Sequence, residues 1–352
     1  MKLLILTQKI DRNDPILGFF HKWIEEFTKN FENVTVICLQ KGNFDLPDNV
    51  KVLSLGKENG KNSFKYIFNF YKYIFRERKN YDAVFVHMNP IYVVLGGIFW
   101  KIWKKKIYLW YVHQSVDIKL KIAEKFVSKI FTASKSSFLL RSSKILVVGH
   151  GIDASCYDCE NKNFEKRNII LQVGRITKIK HCDTLIKAFC DLKKKIIDAE
   201  LWFIGLPINE NDKIYQENLI KLSEELQVLN FVKFKGSVPN NQMSDFYCQS
   251  SVLINSSPIG LFDKVVFEAM AAKVPVVTSN EFFADYFGKY KDFLLYKEGD
   301  INDLQKKIFD VLSQKKLQNE IGEFLFEQVK EKASIKKLIE KISKEIKENE
   351  DF

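Results

Sequence analysis

The sequence predicts an α/β protein built from two doubly wound, Rossmann-like domains that face a cleft. Three observations predict it. Short β-branched and aromatic runs alternate with longer amphipathic runs along the chain, the pattern of parallel strands joined by helices. The rhythm stops at residues 153–167 (DASCYDCENKNFEKR), a polar stretch without periodicity, and restarts with a strand. The length of 352 residues and an apolar fraction of 46% supply two ordinary cores rather than one.

Taken in order, the strand-like runs of the first half are Leu3–Thr7, Val34–Leu39, Val50–Leu55, Ala83–His87, Ile107–His113 and Ile145–Gly149. Those of the second half are Ile169–Val173, Leu201–Gly205, Val232–Gly236, Val252–Asn255 and Val274–Thr278. Helical stretches lie between most of them, among them Phe19–Asn30, Asp183–Lys195 and Asn218–Leu226. This gives a first domain over 1–155, a second over 165–330 and an amphipathic helix over 331–352. That helix carries Ile335, Leu338, Ile339, Ile342 and Ile346 on one face and is expected to pack on a domain. In doubly wound sheets, ligands bind at the carboxyl ends of the strands.

Composition narrows the function. Residues 2–7 are apolar, but the charged stretch Lys9–Asp14 follows at once, so they read as a first strand rather than a secretory leader. The longest apolar run, Ile91–Trp100, is too short to span a bilayer. The expected location is cytoplasmic. The six cysteines are scattered, and Cys156-Tyr-Asp-Cys159 has no second pair, so the thiols are expected to be reduced and inert. The net charge of +11 is uneven: residues 1–160 hold 25 Lys and Arg against 15 Asp and Glu, while the rest is nearly balanced. A basic first half suits an anionic partner.

Four stretches stand out as sites. In LQVGRITKIKHCDTLIKAF (171–189) a strand gives way to Gly174-Arg175, then Lys180, then a helix. Arg175 and Lys180 flank a helix N-terminus, where free N–H groups and the dipole already favour a diphosphate. In SSPIGLFDKVVFEAMAAKVPVVTSN (256–280) a turn over 256–260 leads into a nearly all-apolar helix from Asp263 to Lys273. Its buried Glu268 needs donors, which a ribose diol or a local Lys would supply. In YLWYVHQS (108–115) His113 ends a strand, and in ILGFFHKW (16–23) Gly18 and Phe19 open the first βα turn. The sequence has no D-x-D, H-E-x-x-H, G-x-S-x-G or Walker-type loop, so no metal site is predicted.

Together these residues resemble the retaining glycosyltransferases of family 4, which have the GT-B fold. The resemblance rests on VGRITKIK, VKFKGSVP and FEAMAAKVPVVTS, with TASKSSF (132–138) and VVGHGID (147–153) in the right order. It implies that Gly174, Arg175 and Lys180 bind the donor diphosphate, Glu268 the ribose, and the Ser237–Val238 loop the base. His113 would approach the donor sugar, and Gly18 and Phe19 would lie by the diphosphate or acceptor. Two departures matter. Where the family often has Glu-Gly-Phe-Gly, this sequence reads Gly260-Leu261-Phe262-Asp263, which makes Asp263, Lys264 and Val265 the candidates for donor-sugar contact. His181 stands where the family usually has Gly, which puts a tight turn there in doubt.

The resemblance thus implies transfer, with retention, from a nucleoside-diphosphate sugar, without a metal or cofactor. The acceptor would be a glycan or lipid-linked chain in cell-surface polysaccharide assembly. SFKYIFNFYKYIFRERKN (63–80) and IFWKIWKKKIYLW (98–110) mix aromatics with Lys and Arg, as a segment lying on an anionic membrane does. This gives a peripheral place at the inner membrane face. Nucleic acid is not expected, because these aromatics fall at helical spacing. The alternative is a non-catalytic scaffold of the same fold.

Overall fold

The computed structural model describes residues 1–14, 16–159, 162, 164, 168–258 and 263–348. It divides into two compact units, Met1–Gly151 with the C-terminal helix from Ile335, and Ile152–Ser334. Part of the expected linker and the Gly260-Leu261-Phe262 stretch fall outside the described residues.

The first unit contains β1 (Lys2–Ile10), α1 (Phe19–Thr28), β2 (Asn33–Lys41), β3 (Val50–Ser54), α2 (Ser63–Arg76), β4 (Ala83–His87), α3 (Pro90–Ile102), β5 (Lys106–Trp110), α4 (Ile118–Phe126), β6 (Lys129–Thr132) and β7 (Ile145–Val147). Its sheet is parallel, in the order β3-β2-β1-β4-β5-β6-β7. The central strands β1, β2, β4 and β5 are buried on both faces, which is why they read as continuous apolar runs, while the edge strands β3 and β7 are half-buried. Leu4, Leu6, Val84, Val86 and Leu109 face Phe70 and Ile74 of α2, Trp100 of α3 and Leu120 of α4. On the opposite face Phe85 meets Phe27 of α1, ring centroids 5.0 Å apart. Local signals start the helices. Asn62 accepts from the Lys65 amide at 3.0 Å, Asp117 accepts from Leu120 at 2.8 Å, and Pro90 opens α3. The short strand β6, four residues of Lys-Ile-Phe-Thr, was not among the sequence expectations; its brevity hides any period.

The second unit contains β8 (Ile169–Val173), α5 (Cys182–Lys193), β9 (Glu200–Ile204), α6 (Glu210–Glu225), β10 (Val232–Phe234), α7 (Met243–Gln249), β11 (Val252–Asn255), α8 (Lys264–Ala271), β12 (Val276–Thr278), α9 (Ala284–Phe287), α10 (Lys291–Leu294), α11 (Ile301–Ser313) and α12 (Lys315–Lys332). Its parallel sheet runs β10-β9-β8-β11-β12. The first strand of each unit therefore has the second strand on one side and a later strand on the other. That reversal of strand order is where doubly wound sheets open a ligand crevice.

The last helix, α13 (Ile335–Glu348), belongs to the first unit. It lies beside α1, and Tyr108 of β5 donates to the Ile346 carbonyl at 3.3 Å. The two chain crossings run together: the Ile152 amide donates to the Ala333 carbonyl at 2.7 Å. A Cβ on Gly151 would come within 2.7 Å of the Ile335 Cα, so the backbone there tolerates only glycine without a shift.

The cysteine expectation is corrected. Cys159 and Cys248 form a disulfide, with Cα atoms 5.4 Å apart. The packing of a single helical turn at Ala154–Tyr157 beside α7 brings them together across 89 residues of sequence, a distance that spacing arguments cannot see. The Cys156–Cys159 pair is not a unit; Cys38, Cys156, Cys182 and Cys190 remain thiols. Burial pushes the Cys38 and Cys182 thiols up to about 12, which keeps them protonated and unreactive.

Candidate functional site

The second unit gathers most of the expected residues at the carboxyl ends of its strands. Three neighbouring strands each leave through a glycine in the left-handed half of backbone space: Gly174 after β8 (φ 137°), Gly205 after β9 (φ 141°) and Gly236 after β10 (φ 71°). They are laced together. The Gly174 amide donates to the Ile204 carbonyl at 2.9 Å and the Gly205 amide to the Gly236 carbonyl at 2.8 Å. A Cβ on Gly205 would overlap the Gly174 carbonyl oxygen. The result is a floor of bare backbone, where another molecule can come close. Gly205 and Gly236 were read only as strand ends; the signal available was one glycine at the end of each strand run.

Arg175 follows Gly174 and is exposed, with no hydrogen-bond or ion-pair partner among the described residues. Lys180 is buried at the end of a single helical turn, Lys178–Lys180. Its ammonium donates to Ser257 Oγ at 2.5 Å and to Asp263 Oδ2 at 2.6 Å. Asp263 Oδ2 also accepts from Asn255 Nδ2 at 2.5 Å and from the Ser257 hydroxyl. The Asp263 side chain makes no cap to α8 and answers Lys180 instead. Its other oxygen, Oδ1, has no partner among the described residues. Asn255 is itself held by Thr278, whose hydroxyl donates to Asn255 Oδ1 at 3.1 Å. Asn255, Ser257 and Thr278 carried no sequence signal beyond lying at strand ends.

His181 makes the tight turn that the sequence placed in doubt. It sits in the left-handed region (φ 47°, ψ 42°) between the Lys178–Lys180 turn and α5. Histidine is among the few side chains found there with some frequency. Its ring lies 3.5 Å from Glu298 Oε1. At the start of α5 the Asp183 amide donates to the Tyr215 hydroxyl at 3.2 Å, and Tyr215 donates back to Asp183 Oδ1 at 2.7 Å.

Glu268 lies on the buried side of α8. Its Oε1 pairs with Lys264, one turn earlier, at 2.7 Å, and its Oε2 accepts from the Tyr247 hydroxyl at 2.7 Å. Burial alone would raise this carboxyl. The Lys264 charge, with hydrogen bonds from Lys264, Tyr247 and Tyr157, outweighs it and holds the group below the ordinary range. Tyr157 and Tyr247 were missed, one inside the expected linker and one on a short helix. They are neighbours, with ring centroids 5.8 Å apart, and the Cys159–Cys248 disulfide joins their segments. Val265 is half-buried at the start of α8, and Val238 is half-buried against the core after β10.

The first unit holds the other three expected residues. Gly18 precedes α1, and a Cβ there would stand 2.6 Å from the Asp14 carbonyl oxygen. Its amide donates to that same oxygen at 3.0 Å. Phe19 packs its ring edge-on to His87, centroids 6.1 Å apart. His113 lies past the end of β5, not on the strand as expected, because the β4 and β6 ladders stop at Trp110. It is exposed, and its Nδ1 accepts from the Ser115 amide at 2.9 Å, which leaves Nε2 to carry the proton of the neutral ring. The strand-end histidine of this unit is His87. It is buried, stacked on Phe20 at 4.0 Å and hydrogen-bonded to Thr7 at 3.3 Å. Burial, with the charge of His150, lowers its pKa to about 3, so it is neutral at physiological pH.

Comparison with known proteins identifies this arrangement. Residues 158–328, nearly all of the second unit, match the model of the glycosyl transferases group 1. The match makes the second unit similar to the glycosyl transferases group 1. Among curated relatives, the chain is 25% identical over 261 residues to the capsular polysaccharide biosynthesis glycosyltransferase CapM of Staphylococcus aureus, covering 68% of this chain and 66% of that protein. It is 24% identical over 168 residues to the human GDP-Man:Man(3)GlcNAc(2)-PP-Dol alpha-1,2-mannosyltransferase, covering 45% of this chain and 34% of that one. The chain thus spans between a third and two thirds of the length of these two relatives. Among solved structures, Anabaena Alr3699/HepE in complex with UDP superposes with a TM-score of 0.75 over 99% of this chain and 100% of that one, at 16% identity. The chain therefore has the GT-B fold of two Rossmann-like units.

Proposed function

We propose that the protein is a retaining glycosyltransferase that moves a sugar from a nucleoside-diphosphate sugar to a hydroxyl of a glycan or lipid-linked acceptor in polysaccharide assembly. The observation that carries this reading is the β8–α5 turn, which sets Gly174, the exposed Arg175 and the buried Lys180 on one short segment at the carboxyl end of β8. HepE was solved with UDP, and CapM is named for capsular polysaccharide biosynthesis, which supports donor class and setting.

In this reading Arg175 takes the diphosphate as a planar fork and Lys180 as a point charge. Both stabilise the negative charge that grows on the leaving oxygen, in place of a metal. The bond from the anomeric carbon to the diphosphate oxygen breaks and its electron pair stays on that oxygen. The acceptor oxygen bonds to the anomeric carbon from the same side, and its proton passes to the diphosphate. Asp263 Oδ1 accepts a donor-sugar hydroxyl, and Glu268 takes the ribose diol while Lys264 gives way. His113 approaches the donor sugar, Val238 lies by the base, and Gly18 with Phe19 borders the acceptor side. The lipid-linked acceptor places the protein at the inner face of a membrane.

Saturation-transfer NMR against UDP-, GDP-, ADP- and CMP-sugars, with wild type beside Arg175→Ala and Glu268→Ala, tests the reading. The expected result is one nucleotide sugar bound, and weakened by both substitutions. A folded wild type that binds none of them would leave the scaffold reading instead.

A further inference from the structure

We propose that the face formed by α2 and α3 docks on an anionic lipid bilayer, with Phe64, Phe68, Ile98 and Ile102 entering the interface and the surrounding lysines meeting the headgroups. The inference deepens the reading of a lipid-linked acceptor and is tested apart from it.

The helices divide their large side chains in a way the core does not need. On α2, Phe70 and Ile74 turn inward, whereas Phe64 is 88% exposed and Phe68 68%. With Tyr71 and Phe75 these recur at helical spacing along the outward side. On α3, Trp100 is buried while Ile98 is 57% and Ile102 69% exposed. The two outward stripes are neighbours. Tyr71 and Phe75 meet Phe99 at 5.7 and 5.0 Å, Phe75 meets Trp103 at 5.0 Å, and Tyr71 donates to the Leu95 carbonyl at 3.2 Å. These contacts seam the two helices together, and Phe64 and Phe68 on one and Ile98 and Ile102 on the other stand exposed along them, a grouping of apolar side chains that suits an interaction site.

Charge names the occupant. Residues 61–106 hold ten Lys and Arg and only two carboxylates, Glu77 and Asp82. Glu77 is buried and paired with Lys51 and Arg76, and Asp82 accepts from the Lys2 amide at 2.8 Å. Lys65, Lys72 and Arg76 follow one flank of the aromatic stripe on α2, and Lys101 and Lys104 lie at the end of α3. Apolar side chains that enter, beside cations that stay at the headgroups, suit an anionic interface. A second copy on this face would set like charge against like charge across a two-fold axis. A nucleic-acid strand would need flat stacking platforms, and Ile98 and Ile102 offer none.

Flotation of the full chain with phosphatidylcholine vesicles, with and without phosphatidylglycerol, tests this. Wild type should float only with the anionic vesicles. The exposed pair Phe64→Ser/Phe68→Ser should weaken partition at least about tenfold. Lys65→Glu/Lys72→Glu should weaken it by a further charge-dependent margin of more than about tenfold. All variants should keep the wild-type thermal transition and the wild-type NMR response to the nucleotide sugar. Failure of the donor reading would remove that last response and leave flotation intact. The docking proposal is overturned if wild type does not float, if the phenylalanine pair floats as well as wild type, or if that pair instead converts a dimer to a monomer on gel filtration. Competition by a short oligonucleotide for the same face also overturns it.

Discussion

The turn after β1 and the turn after β8 occupy the same place in their two units, yet they are built from opposite charges. After β1 the chain folds back on its own carboxylates. Lys9 pairs with Asp14 at 2.7 Å and Asp11 at 3.2 Å, and Asp14 Oδ1 accepts the Ile16 and Leu17 amides. After β8 there is no acid in the turn itself; Arg175 stands open and Lys180 reaches across to Asp263. Even the glycines differ in purpose. Gly18 has an ordinary helical φ of −54° and is there for space, whereas Gly174 has room for a Cβ and is there for its torsion. A shared fold therefore sets where a ligand can sit, while local charge decides which unit can take an anion.

The largest break in this comparison comes from truncating the two lysines. Lys180→Ala should lower kcat/KM by roughly a hundred- to a thousandfold, as loss of one group that stabilises developing charge does. Lys9→Ala should leave donor affinity within about twofold of wild type, measured by titration calorimetry, and cost about 1 kcal/mol of stability. Equal effects on donor binding would erase the distinction between the turns. Next in size are the glycines. Gly205→Ala should cost about 3 kcal/mol, combining overpacking against Gly174 with a disfavoured torsion, and Gly18→Ala about 2 kcal/mol from overpacking alone. Urea unfolding would read both.

The carboxylates give a pH test. At Asp14, burial alone would raise the pKa, but Lys9 and the Leu17 and Ile16 amides outweigh it and lower it. Its folded pKa lies below the unfolded one, so its contribution is present above the unfolded pKa and fades as pH falls through the folded one. Glu77 behaves likewise: hydrogen bonds from Lys51, Asn80 and Arg76 outweigh burial and hold it at about 2. Glu77→Gln should therefore flatten the acid limb of the stability curve below about pH 4.5, as followed by the urea midpoint. The smallest expected effect is at His181. Replacing it by Gly relieves a left-handed residue and should stabilise the second unit by about 1 kcal/mol, a rise of a few degrees in Tm.

The longer central strands were legible because both of their faces are covered, so each reads as an apolar run with a sharp end; β6, four residues long, was not. Gly174, Arg175 and Lys180 were legible because they are consecutive features of one turn. Their pairing was not. Asp263, itself a candidate in the sequence, and Ser257 come from the β11–α8 side and meet Lys180 because β11 lies next to β8; Asn255 joins them through Asp263. Tyr157 and Tyr247 meet Glu268 across long stretches of sequence, and no periodicity marks a tyrosine whose hydroxyl answers a buried carboxylate. His113 was placed on a strand because its neighbours Tyr111 and Val112 suit one. The ladder ends earlier, where the adjacent strands run out of partners.

In helix α13 the Ile346 carbonyl accepts a hydrogen bond from a tyrosine 238 residues earlier in the chain, and Leu338, Ile339, Ile342 and Ile346 bury themselves against the first unit. A nascent chain leaves the ribosome with its first residues foremost. The second unit then has every strand and helix it needs before residues 335–348 emerge, while the first unit still lacks the helix that packs beside α1. The unit that is synthesised first is finished last.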